Sequence, residues 1–310
     1  MQTDSHPKLS WSMSKLQKVI VICGPTAAGK SETAVLLSEV LHCPIINADS
    51  RQFYSELNIG VARPTLDQLQ RAKHYLVADR SIHQPLHAAQ FAAEAHSICE
   101  KLASEFEHLI LCGGSGLYLH AFLNGLDVLP DTPESLRKEL NDRLEKDGLL
   151  TLTNELKERD PEAFHTIDLQ NPRRVLRALE IIYVSGKKAS SQWNQTTLNL
   201  PFQTHLFLVH PGKEILHQNI HQRTKEMFDM GLIDECKQVL AYKNLPVLQT
   251  IGYKEVFEYL EGNLDVETCK NWIEIHTRQY AKRQLTWFRN KMKAKEVKPL
   301  NVSEIVNSIS

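Results

Sequence analysis

The chain has 310 residues, of which 42% are hydrophobic and 24% charged, and its formal net charge is −1. That length suits about two folding units of ~100–200 residues each, and near-neutrality argues neither for nor against a local basic patch. No run approaches the ~20 apolar residues that cross a bilayer, and residues 1–18 are polar and mixed, without a signal-peptide core, so they read as a disordered extension on a cytoplasmic protein.

The first ordered run is Val19-Ile20-Val21-Ile22-Cys23, an apolar strand. Gly24-Pro25-Thr26-Ala27-Ala28-Gly29-Lys30-Ser31 follows, and then a helix from Ser31 to Leu41 with Ala34, Leu37 and Leu41 at helical spacing. A G-x-x-x-x-G-K-[ST] match in a strand–loop–helix setting is a phosphate site rather than a chance glycine turn. The glycines let backbone N–H groups point inward, and the helix presents its positive end. Lys30 would reach the terminal phosphates, and the Ser31 hydroxyl would coordinate magnesium. The loop implies a bound diphosphate or triphosphate without specifying the reaction.

Cys43 to Ala48 reads as a second strand ending in Asp49-Ser50-Arg51-Gln52. Functional groups gather at the carboxyl ends of parallel strands, which places Asp49 beside the phosphate loop; the alternative is an ordinary helix N-cap. Lys73 to Asp79 reads as a third strand, Gln90 to Ala103 as a helix, and His108 to Cys112 as a fully apolar strand. That strand runs into Gly113-Gly114-Ser115-Gly116-Leu117-Tyr118. A motor or switch protein usually ends such a strand with an acidic residue that holds magnesium through water. Here none is present, which favours a small-molecule kinase or another group-transfer enzyme over those classes. The cysteines (Cys23, Cys43, Cys99, Cys112, Cys236, Cys269) are scattered with no Cys-x-x-Cys pair, as expected of reduced, buried thiols.

From Leu126 the composition changes. Pro130-Asp131-Thr132-Pro133 is a punctuated linker, followed by amphipathic helices over Glu134–Asp147 and Leu149–Arg159. Asn171-Pro172 caps a further helix, Arg173 to Val184, whose apolar face is Val175, Leu176, Leu179 and Ile182, with Arg173 and Arg177 four apart and Arg174 beside them. Strand character returns at 204–209. The expected architecture is therefore α/β: a P-loop nucleoside-triphosphatase-like parallel sheet flanked by helices, built from residues 19–125 and 201–299. A mainly helical domain is inserted at 126–200, and a tail follows from 300 to 310. Helices are expected at Glu214–Gly231 and from Ile251. Between Asn271 and Pro299, eight basic residues stand against two acidic ones, a local net of +6, with Tyr280, Trp287 and Phe288 interleaved. That pattern suits phosphate backbones and aromatic stacking, or else a solvated helix with packing aromatics.

These pieces together resemble the bacterial tRNA dimethylallyltransferase family. The matching stretches are the 24–31 loop, Ala48 to Tyr54, Asn58-Ile59-Gly60-Val61-Ala62-Arg63-Pro64, and Gly113 to Tyr118. Further matches are Asn171 to Glu180, Ile251-Gly252-Tyr253-Lys254-Glu255, and Arg278 to Arg289, in family order and over nearly the whole chain. Departures are Arg51 where a residue such as methionine is usual, Val61 and Arg63 in the Ile-Gly-Thr-Ala-Lys-Pro segment, Ser115 for threonine, and Gly186-Lys187-Lys188 after the arginine-bearing helix.

The resemblance implies transfer of a dimethylallyl group from dimethylallyl diphosphate to the exocyclic amine of the adenine next to the anticodon. Asp49 matches the general base, Ser115 a hydroxyl that helps hold the substrate, and Arg223 an arginine on the leaving diphosphate. The tRNA anticodon stem-loop would be held by Asp49, Ser50, Arg51, Gln52 and Ser115, by Arg137, and by the stretch Arg173, Arg174, Val175, Leu176 and Arg177. Family members are usually monomers. The alternatives are a P-loop small-molecule or nucleotide kinase, and an RNA-binding protein with a degenerate core, the latter disfavoured by the intact loop and Asp49.

Overall fold

The computed structural model describes residues 15–127, 129–193 and 198–309. They fall into two compact units, one holding the residues up to Leu123 and from Asn199 onward, the other Asn124–Leu198.

The first unit is built on a parallel sheet. Its strands among the described residues are β1 (Lys18–Cys23), β2 (Ile45–Asn47), β3 (His74–Tyr75), β4 (His108–Gly113), β5 (Gln203–Val209) and β6 (Lys295–Val297), in the order β3-β2-β4-β1-β5-β6. β1 lies between β4 and β5, with Cys23 opposite Gly113 on one side and Leu208 on the other. Its continuous apolar run follows from burial on both faces. Val19, Val21 and Cys23 point into one core, and Ile20 and Ile22 into the other. β4 alternates likewise, with Leu109 and Leu111 against Ile110 and Cys112.

The helices of this unit are α1 (Lys30–Leu41), α2 (Leu66–Arg71), α3 (Ala88–Leu102) and α4 (Gly116–Asn124) before the second unit. Phe91, Ala95 and Cys99 of α3 and Leu119 and Phe122 of α4 join the core that holds Val21. Ala34, Val35 and Leu37 of α1 join the core that holds Ile20.

The second unit holds α5 (Glu134–Arg159), α6 (Pro161–Thr166) and α7 (Pro172–Ser185). α5 is broken at Gly148, whose φ of +78° is left-handed, so the two helices expected there are present on either side of a kink. Leu140, Leu152, Leu156, Val175, Leu179 and Ile182 form its core. Buried Asp160 closes it, accepting from the Ala163 N–H at 3.1 Å and, through both oxygens, from the Ser190 N–H and hydroxyl at 2.8 and 2.7 Å.

Back in the first unit come α8 (Lys213–Asp229), α9 (Leu232–Val239), α10 (Tyr253–Leu260), α11 (Val266–Lys291) and, last, α12 (Val302–Ile309).

Several expectations change. The third strand is short because Leu76 and Ala78 take left-handed backbone (φ +59° and +50°), which turns the chain off the sheet. Asp79 therefore ends no strand; it is exposed and pairs with Arg80 at 3.0 Å. The tail from residue 300 is largely the helix α12, whose Ile305 and Ile309 are buried in the core that also holds residues of α1. The basic stretch 271–299 runs from the sixth residue of α11 through that helix and on through the edge strand β6. Of the expected disordered extension, residues 1–14 lie outside the described residues, whereas Leu16 is buried and its N–H reaches the Ala103 carbonyl at 3.1 Å. The described cysteines are all buried and free; burial pushes the Cys23, Cys43 and Cys112 thiols up to about 12. No helix among the described residues is long and apolar enough to cross a membrane.

Candidate active site

The 24–29 loop sits where β1 feeds α1. Gly24 is required there: a Cβ would lie 2.4 Å from the Val209 carbonyl oxygen of β5, and its φ is +150°. Gly29, at φ +86°, turns the chain into α1, and Ala27 also takes positive φ at +62°. Lys30 opens the helix, and its Nζ donates to the Pro25 carbonyl at 2.7 Å. Burial lowers the Lys30 pKa from its ordinary value, against the pull of Cys112 and Asp49. Arg223, on α8, donates from Nη2 to the Thr26 hydroxyl at 2.6 Å, and burial lowers its pKa too, with Asp49 opposing. One turn earlier, Asn219 Nδ2 donates to the Ala27 carbonyl at 3.0 Å. α8 thus lies along the loop, an arrangement no local pattern could reveal.

Asp49 follows β2. Its Oδ1 accepts the Arg51 N–H at 3.1 Å, and its own N–H donates to Asn47 Oδ1 at 3.1 Å. The chain beyond it forms turns and the next helix begins only at Leu66, so the helix-cap alternative fails; the carboxylate caps a turn through one oxygen. Oδ2 stands 3.7 Å from the position a Cβ on Gly114 would take. Ser115 accepts the Ser50 N–H on its hydroxyl at 2.8 Å, tying the glycine-rich turn after β4 to the Asp49 segment. Gln52 is buried, and its Nε2 donates to the carbonyls of Val61 and Ala62 at 3.2 and 2.8 Å.

Of these residues, Thr26, Ala27, Gly29, Lys30, Asp49, Gln52, Val61, Ala62 and Arg223 line a cleft of about 230 Å³, whereas Ser50, Arg51 and Ser115 do not line it. Its polar lining includes Thr26, Lys30, Ser31, Asp49, Gln52 and Arg223; its apolar lining includes Ala34, Ile45, Val61, Ala62 and Pro64. Lys30 and Arg223 beside the loop amides make a site for a compact polyanion. The apolar walls add room for a short hydrocarbon group.

A model of the IPP transferase family matches residues 52–291. The chain belongs to that family. It is 39% identical over 298 residues to the tRNA dimethylallyltransferase of Cytophaga hutchinsonii, covering 96% of this chain and 98% of the relative. It is 38% identical over 288 residues to tRNA dimethylallyltransferase 1 of Bacteroides thetaiotaomicron, covering 93% and 94%. Among solved structures, the full-length tRNA isopentenylpyrophosphate transferase of Bacillus halodurans superposes with a TM-score of 0.70 at 31% identity, covering 94% of this chain and 95% of that one. A eukaryotic dimethylallyltransferase acting on tRNA superposes with a TM-score of 0.73 at 27% identity, covering 93% and 75%.

As an IPP transferase, the chain distributes its expected site residues over both units. The 24–31 loop, Asp49, Ser50, Arg51, Gln52, Ser115 and Arg223 belong to the first; Arg137 on α5 and the 173–177 stretch of α7 belong to the second. Arg137, Arg173 and Arg174 are exposed. Val175 and Leu176 have their side chains buried in the helical core, as their place on the apolar face of α7 requires. Arg177 is held locally: Nη1 donates to Thr132 Oγ1 at 2.8 Å and to Glu180 at 2.9 Å, and Nη2 to the Pro130 carbonyl at 3.3 Å. Its guanidinium fastens the linker to α7 while the side chain remains 38% exposed. In the basic stretch, Arg278 pairs with Glu274 at 2.7 Å, Arg289 with Glu296 at 2.7 Å and Lys295 with Glu304 at 3.2 Å. Lys282 and Arg283 are exposed on α11.

Sequence reasoning overlooked Gln284, Asn219 and Glu235. Gln284 lies within the quoted 278–289 stretch, where an amide among basic residues was the available signal. Glu235 and Asn219 carry none, being polar residues on ordinary amphipathic helices.

Proposed function

We propose that the protein transfers a dimethylallyl group from dimethylallyl diphosphate to the exocyclic amine of the adenine 3′ to the anticodon, in tRNAs reading codons that begin with U, releasing diphosphate. The observation that carries this reading is a single cleft joining a phosphate loop, the cations Lys30 and Arg223 and the Asp49 carboxylate to apolar walls. The curated relatives named above are tRNA dimethylallyltransferases, which supports the same chemistry.

In this reaction the amine nitrogen forms a bond to the first allylic carbon while the bond from that carbon to the diphosphate oxygen breaks. Lys30, Arg223 and the loop amides hold the charge that grows on the departing diphosphate. Asp49, with Oδ1 occupied by the Arg51 N–H, keeps Oδ2 for the proton lost by the amine. Ser115 and the Ser50 backbone fix the segment that carries Asp49. Val61, Ala62 and Pro64 shield the hydrocarbon from water, which would otherwise compete for the allylic carbon.

Magnesium fits this site. No cluster of three or more His, Cys, Asp or Glu able to hold a metal occurs among the described residues, but a diphosphate-bound magnesium needs few protein ligands, because phosphate oxygens and water supply the rest. Ser31, in the first turn of α1, lines the cleft and would hold it. The ion would neutralise charge on the leaving group. An adenine stacked in an anticodon loop must be extruded to meet Asp49, at about a few kcal/mol offset by contacts to the flipped base. Exposed Arg137, Arg173 and Arg174 would contact the anticodon stem by its phosphates. The reading carries with it a cytoplasmic monomer.

The test offers purified protein, magnesium and unmodified tRNA either labelled dimethylallyl diphosphate or labelled ATP. Label moving from the prenyl donor to tRNA is the expected result. Phosphoryl transfer from ATP, or RNA binding with neither label transferred, would replace it with the kinase or the pure binding protein.

A further inference from the structure

Gln284 lies in α11 and is 7% exposed. Its Oε1 accepts the Thr26 N–H at 2.9 Å, and its Nε2 donates to the Gly114 carbonyl at 2.8 Å. The partners determine the amide orientation, because a backbone N–H can only donate and a carbonyl can only accept. Thr26 follows β1 and Gly114 follows β4, and the ladder between those strands ends with Cys23 opposite Gly113. Beyond that pair, the Gln284 amide joins the two loops directly.

Both loops carry groups of the cleft. The Thr26 hydroxyl receives Arg223, and the next residue after Gly114, Ser115, receives the Ser50 N–H beside Asp49. The glycines of the second loop are shaped by α11. A Cβ on Gly114 would lie 2.7 Å from Gln284 Nε2, and one on Gly116 would lie 2.4 Å from the Trp287 ring. α11 therefore presses on the turn at two points, and one of them is a hydrogen-bonded brace to the phosphate loop.

We propose that Gln284 is a positioning residue that sets the spacing between the diphosphate side and the carboxylate side of the cleft. This rests on the prenyl-transfer reading above. The amide touches neither reacting atom. It holds the loop that grips the leaving group at a fixed offset from the turn that holds the base, so its loss should appear in the chemical step. Misplacement by about 1 Å can cost ~10²-fold in rate while leaving binding almost unchanged.

Two variants test this. Gln284→Met keeps the length and approximate volume but can make neither bond. Gly114→Ala leaves Gln284 in place and drives its amide off the Gly114 carbonyl; no positive φ is involved at Gly114, so the backbone accepts alanine. Steady-state prenyl transfer is measured with each substrate varied, alongside thermal melting. We expect kcat to fall by ~10–100-fold in each variant with both KM values within about threefold of the parent, and the double variant to be no slower than the slower single by more than about threefold. The inference is overturned if Gln284→Met melts like the parent and keeps kcat within about threefold, if only a KM rises, or if the two losses multiply. Should Gln284→Met not fold, Gln284→Asn, whose amide is one methylene too short to bridge Thr26 and Gly114, is measured in its place by the same kcat and KM criteria, because a methyl on Gly114 also stands 3.7 Å from Asp49 Oδ2. A parent protein that transfers no label overturns the functional reading and this inference together, whereas an active parent with an indifferent Gln284 overturns this inference alone.

Discussion

Asp49 is held through one carboxylate oxygen and leaves the other open to the cleft side. Oδ1 is bound by the Arg51 N–H, while Oδ2 faces the space above Gly114. Lys30 and Arg223 lie close enough for each to feel its charge. Burial disfavours the charged form of both cations, so a polyanion entering the cleft meets positive charge already stripped of much of its water. Asp49→Asn keeps the shape and the turn-capping oxygen but removes the proton acceptor. Single-turnover transfer should fall by about 10²–10⁴-fold, with much smaller changes in substrate affinity. A rate within about threefold of the parent across a magnesium series would remove Asp49 from the chemistry; partial rescue by added magnesium would make it a metal contact instead.

Two stretches quoted as family motifs turn out to be one packing unit. Glu235, on α9, accepts the N–H groups of Asn58 and Ile59 on Oε2 at 3.0 and 2.8 Å, and that of Gly60 on Oε1 at 2.9 Å. The Tyr253 hydroxyl donates to the same Oε1 at 2.6 Å. Gly60 lacks a side chain because a Cβ would lie 2.5 Å from the Tyr253 ring. The loop so held continues into Val61, Ala62 and Pro64, which line the cleft, and the Val61 and Ala62 carbonyls accept the Gln52 amide. Asn58–Pro64 and Ile251–Glu255 therefore serve the site by shape. Glu235→Gln leaves a single acceptor oxygen and turns an N–H toward donors. Unfolding in urea should show a loss of ~1–3 kcal/mol, the usual cost of leaving a buried donor without its acceptor. A loss below about 0.5 kcal/mol would mean that the loop holds itself, as at an ordinary surface position. At this same scale, β6 and α12 escaped sequence reasoning because each is short. A three-residue strand amid lysines has no period to detect, and its strand character comes from pairing with β5.

At the scale of the whole molecule, an α/β unit carries the cleft and a helical unit carries exposed arginines on α5 and α7. Replacing Arg173 and Arg174 together by alanine should weaken tRNA binding. The dependence of log affinity on log salt should become shallower by about one unit for each phosphate contact removed, with the donor KM unmoved. An unaltered salt slope would leave these arginines as a solvated surface. Arg177 is excluded from that pair because its bonds to Thr132, Glu180 and Pro130 make its loss a stability effect as well. By itself, the sequence determined the glycine-bearing loop between β1 and α1, the parallel α/β class, the interruption by a helical segment and the placement of Asp49 at a strand end. Those signals are local: glycine spacing, apolar runs and helical periods act over a few residues, so they survive without knowledge of the fold. Only the tertiary structure decided that Arg177 bonds to its own linker, that Val175 and Leu176 are interior, and that Gln284 and Glu235 bond to loops that reach the cleft. Those bonds join groups 170 positions apart for Gln284 and Gly114, and 175 to 177 apart for Glu235 and the 58–60 loop. A side chain's partner at such a distance is decided by how the helices pack on the sheet, and no pattern within a single helix encodes it.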